Sequence, residues 1–169
     1  MTLQTIAHYT FPASIRDIGT GIYHLAKKDA TEEQCQKMVT GAIRVATAVL
    51  TALTAIAAIA LLPAPLGELT ALVVLIPMRF LDLETGTLLL GTIGIASGLA
   101  SCASGIVHLA RGLFAEGAWN LFAGTLFTGA SWFVTRIPKD ISFGFRGLFA
   151  DKIDGLGDDW GSKLYEKTL

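Results

Sequence analysis

Two histidines occupy matching places in two near-identical octapeptides. His24 lies in TGIYHLAK, Thr20 to Lys27, and His108 in SGIVHLAR, Ser104 to Arg111. A metal site or a proton relay would need further His, Cys, Asp or Glu three or four residues away on the same helical face. Neither histidine has such neighbours, and Cys35 and Cys102 stand at the wrong intervals to supply them. Paired in this way at helix ends, the histidines are expected to hydrogen-bond a neighbouring helix. The two cysteines are far apart and belong to no C-x-x-C pair, which predicts free thiols. There is no nucleophile elbow, no phosphate-binding glycine loop and no metal-ligand spacing. The expectation is a protein that is not an enzyme, with no catalytic residue, no cofactor and no metal.

Composition points to the medium instead. The chain of 169 residues is 52% apolar and 16% charged, whereas soluble domains carry about a quarter charged residues. A net charge of −1 offers no basic stripe for nucleic acid. The opening MTLQTIAHYTFPASIRD lacks the basic-then-apolar order of a cleavable signal, so the mature chain is expected to begin there.

Helix signals follow in order. Thr10-Phe11-Pro12 reads as a helix start, with Pro12 in the first turn, where its missing N–H costs nothing. Ile15, Ile18, Ile22 and Leu25 then recur at three- and four-residue steps, an amphipathic helix of about seventeen residues. Asp29 and Thr31, followed three residues on by Glu32 and Gln34, carry a capping-box signature. The helix that starts there has a polar first part and then Val45 to Leu62, eighteen residues without a charge. That length meets the threshold for crossing a hydrocarbon layer of about 30 Å. Arg44 at its edge can snorkel to headgroups. After the turn at Pro63 to Gly67, residues 69–80 form a short apolar segment interrupted by Pro77, read as re-entrant or as a tilted, marginal span. Asp82-Leu-Glu84 is a polar break. Residues 85–110 and 117–135 supply two further apolar segments, with Trp119 and Trp132 near the ends of the second, as interfacial tryptophans often are. Asn120, Thr47, Thr51 and Thr54 suit helix–helix hydrogen bonds. Phe145 to Ile153 echoes Ala110 to Gly117 and fits a surface amphipathic helix.

The division expected is therefore residues 1–44 as amphipathic helices, 45–136 as a membrane helical domain, and 137–169 as a polar tail.

The octapeptides belong to a longer correspondence. Gly21 matches Gly105 and His24 matches His108; after a one-residue slip in the turn, Glu33 matches Glu116 and Gly41 matches Gly124. Similarity on both sides of a turn, with the slip in the loop, predicts a duplicated αα-hairpin. Lys27 and Arg111 close the first helix of each copy, where a cation favours the dipole. Both copies would mark a helix meeting a membrane surface, the first lying along that surface or docked beneath it. The glycines carry a packing code. Gly91, Gly98, Gly105 and Gly112 are seven apart; Gly94, Ser101 and His108 form a parallel row; Gly117, Gly124 and Ser131 repeat the interval. In water each interior glycine costs about 1 kcal/mol relative to alanine, and a long helix keeps four of them only where close backbone approach offsets the deficit. Small-residue faces between membrane helices do this, and a seven-residue period favours a left-handed pair. The helix-packing set is thus Gly91, Gly94, Gly98, Ser101, Gly105, His108, Gly112, Gly117, Gly124, Gly41, Gly21 and His24. The face can serve packing within the chain or a homodimer.

Eleven of the thirteen Lys and Arg lie in residues 1–44 or 136–169. The positive-inside rule then puts both termini on the cytoplasmic side and requires an even number of crossings or hairpins that re-emerge on one face. Two apolar helices joined by a tight turn, as in Val45 to Met78 and again in Thr85 to Thr135, resemble the bilobed hydrophobic region of chlamydial inclusion-membrane proteins. The resemblance is architectural and covers about half the chain. It implies an inclusion-membrane location and polar termini that face the host cytosol and bind host proteins. A second hairpin and a short second lobe depart from the simplest form of that family.

The reading is an all-α, multi-span helical membrane protein built on a duplicated hairpin. It would act as an integral membrane scaffold whose partners are the lipid bilayer, itself as a homo-oligomer, or another protein bound through the termini. The alternatives are a pore-forming or channel-type oligomer, and a soluble helical bundle with conditionally inserting hairpins. On the membrane reading, Cys35 should react with a charged maleimide while Cys102 stays blocked.

Overall fold

The computed structural model describes residues 11–81, 83–138, 141, 147 and 149–168, and these form helices with no strand among them. Thr10, Asp82 and much of 139–148, including the start of the Phe145 echo, lie outside the described residues.

Helix α1 spans Phe11–Lys27 and ends in a left-handed residue, Lys28 at φ 58°. The amide of Asp29 there donates to the His24 carbonyl at 3.2 Å, so the terminal carbonyls keep partners. Helix α2, Glu32–Leu61, starts under a reciprocal cap: the Gln34 amide donates to Thr31 Oγ1, and the Thr31 amide to Gln34 Oε1 at 2.9 Å. Asp29 takes no part in that cap and faces His24 instead. With 30 residues, α2 is about 45 Å long, a single rod that carries both the charged segment and the apolar one. It stops at Leu61, just before the Pro63 turn.

Helix α3 spans Leu66–Leu81 and runs straight through Pro77. An interior proline costs about 3 kcal/mol. The helix continues past it because Met78, Arg79 and Leu81 are all buried against neighbours, so packing outweighs the lost N–H. The expected short, interrupted segment is therefore a full helix. Helix α4, Leu83–Leu89, passes through a π-helical stretch, Leu90–Ile95, into α5, Ala96–Ala110. A left-handed Gly112 at φ 81° turns the chain into α6, Phe114–Thr135. Helix α7 is Ala150–Thr168.

Two groups of helices share α2. Its charged half packs against α1 on one side and α7 on another. Gly21 abuts Met38 and Gly41 abuts Ser14, so α1 runs antiparallel to α2. Gly157 abuts Thr40 and Gly161 abuts Gln36, so α7 does the same. Glycines at the contacts let the first helix dock lengthwise on α2. Within the polar C-terminal segment, Ala150–Thr168 is likewise a helix packed on α2. The apolar half of α2 joins α3, α4, α5 and α6 in a second bundle. Its centre is Ala55, Ala71, Leu75, Leu90, Phe127 and Val134. A smaller apolar cluster of Ala48, Met78, Leu81 and Ala150 seals the junction between the two groups.

Candidate functional site

The seam that α5 and the π-helical stretch before it make with α6 contains half of the predicted packing residues. A side chain added at Gly94 would strike Ser131, one at Gly98 the Gly124 carbonyl at 2.8 Å, and one at Gly105 the Gly117 carbonyl at 2.8 Å. Reciprocally, a Cβ on Gly124 would lie 2.5 Å from the Gly98 carbonyl, and one on Gly117 would meet Leu109 at 2.7 Å. Backbones that close leave room for hydrogen alone, which is why these positions are glycine. His108 caps the seam: Asn120 donates its amide to His108 Nδ1 at 3.1 Å, with Glu116 4.0 Å from the same nitrogen. The Cys102 thiol also lies in the seam, toward the Leu121 carbonyl at 3.8 Å.

Other members of the set lie elsewhere. Gly91 faces open space; the π-helical turn that begins beside it takes an extra residue and shifts the phase of the row. Gly112 serves the turn through its positive φ, not the seam. Ser101 faces α3, donating to Glu68 Oε1 at 2.7 Å. His24 pairs with Asp29 in its own turn, Nδ1 to Oδ1 at 2.9 Å, rather than with a neighbouring helix. Thr47 and Thr54 donate to carbonyls of their own helix, Ile43 and Leu50 at 2.8 Å, instead of bridging helices.

The α1–α2 contact has the same register as the α5–α6 seam. Gly21 meets Met38, and eighty-four and eighty-three residues on, Gly105 meets Leu121. Gly41 approaches the Ser14 carbonyl, and at the corresponding places Gly124 approaches that of Gly98. The turns agree too, with the left-handed residue at Lys28 and at Gly112 and equivalent amide bonds back to the His24 and His108 carbonyls.

Several interactions carry no signal in the one-dimensional pattern. Glu68 is buried where the two apolar hairpins meet, held by Ser101, and its Oε2 has no hydrogen-bond partner. Close by in the chain, the Trp119 indole donates to the Ala64 carbonyl at 3.0 Å, a second tie between α6 and the turn before α3. Arg44, expected to snorkel, is buried and ion-paired with Asp154 of α7. The one legible cue to that docking is Gly157-x-x-x-Gly161, a small-residue spacing in a polar segment.

Cys35 is fully buried on the charged half of α2. Burial, and after it the Glu32 carboxylate, hold its thiol above the ordinary range. The expected contrast in labelling therefore fails: Cys35 is shielded by packing although it lies outside the apolar bundle. Both cysteines are free thiols, and no cluster of metal-ligating side chains occurs among the described residues.

Along the charged half of α2, a stripe of Glu33, Lys37, Thr40 and Arg44 faces a cleft between α1 and α7. Lys37 pairs with Glu33 one turn earlier, and Gln36 donates to Ser162 at 3.0 Å, with Ser162 in turn donating to Glu32 at 2.8 Å. The cleft is polar; the apolar bundle offers instead an open groove lined by Ala48, Val49, Ala52, Leu88 and Leu89.

No family model, no curated protein and no solved structure matches this chain.

Proposed function

We propose that the chain is an integral membrane scaffold: a four-helix bundle in lipid that holds a charged three-helix head, α1, the first half of α2 and α7, on one face. One observation carries this reading. Two helices, Glu32–Leu61 and Glu84–Ala110, are long and apolar enough to cross a membrane, and only 22% of the apolar window of each is buried. The core helix of a soluble protein would hide that window. Here Leu50 is 64% exposed, Leu61 81%, Val73 68% and Phe133 66%. At roughly 1 kcal/mol or more for each such side chain left in water, the exposed set rivals the whole stability of a domain, about 5–15 kcal/mol. Lipid removes that penalty.

On this reading α3 and α6 are the other two crossings, and the even number leaves both charged ends on one side, the cytoplasmic one by the distribution of Lys and Arg. The shared register of the two glycine contacts and the two left-handed turns supports duplication of an αα-hairpin, one copy built into the head and one into the bilayer. The centre of the bundle is filled, with Phe127, Leu75 and Leu90 at or near zero exposure, so a pore would have to form between copies. The head is the part offered to protein partners; if the resemblance to inclusion-membrane proteins extends to location, those partners are in the host cytosol.

Alkaline carbonate extraction tests the membrane assignment. The chain is expected to stay with the membrane pellet, and recovery as a folded, monodisperse species without amphiphile would overturn it. Dye or ion flux through reconstituted vesicles no faster than through empty ones is expected of the scaffold; fast, saturable flux would favour a pore.

A further inference from the structure

We draw no further inference here: the strongest candidate, the apolar groove on the flank of the second bundle between α2 and α4, lined chiefly by Ala48, Val49, Ala52, Leu88 and Leu89, is an open face, and nothing in the structure shows what covers it.

Discussion

Glycine at a helix contact and glycine on an open face look alike in a sequence, and α7 holds both kinds. A methyl on Gly161 would press into the Gln36 backbone, while Gly155 has nothing within 4 Å. Gly161→Ala should therefore destabilise the head by about 1–3 kcal/mol, the usual result of overpacking. Gly155→Ala should stabilise α7 by up to about 1 kcal/mol, because alanine is the better helix former. Thermal melts of the two variants in one detergent, moving in opposite directions, check both. Cys35 gives a second test. Its thiol is raised above the ordinary range, so the folded state favours the neutral form. That contribution to stability is complete at neutral pH and falls away as pH climbs from the ordinary thiol range toward the raised value. Cys35 should react slowly with maleimide in the native protein and rapidly once the chain is unfolded. Fast native labelling would show that the thiol is not buried.

At the scale of the element, each amphipathic segment found its face through small residues, and polar ties secure the dockings. Arg44 to Asp154 holds α7; Trp119 to Ala64 and Ser101 to Glu68 hold the second hairpin to the first. Asp154→Ala should cost about 2 kcal/mol, because the Arg44 side chain is 8% exposed and loses its carboxylate. Pairing it with Arg44→Met should restore most of that loss, and a double-mutant cycle of melting temperatures measures the recovery. Trp119→Phe keeps the ring and removes the indole donor; a loss of about 1 kcal/mol is expected from the same melts. The π-helical turn belongs to this scale as well. It sets aside Gly91 and lets Gly94, Gly98 and Gly105 share one line against α6.

At the scale of the molecule, one helix serves two bundles. The first half of α2 is wrapped by α1 and α7, and its second half shows apolar side chains outward. A rod of about 45 Å exceeds a hydrocarbon layer of about 30 Å by roughly the length of the head contact. Protease added to sealed vesicles should reach the Lys27–Lys28 turn and the end of α7 from the same side. Cleavage of the two from opposite sides would require an odd number of crossings.

Local chemistry alone determined much here: the helical class, the start of α2 under Thr31, its end before Pro63, the apolar lengths, and the glycine spacing that marks close approach. These are properties of neighbours in the chain, so period, cap and composition reveal them. What only tertiary structure decided is which surface each helix meets. Pro77 stays inside a helix because buried neighbours hold it. Cys35 is hidden on the half of α2 against which α1 and α7 pack. Glu68 and Asp154 find Ser101 and Arg44 across 33 and 110 residues. Such pairings depend on where whole helices lie in space, and no local pattern records the partner of a lone polar side chain.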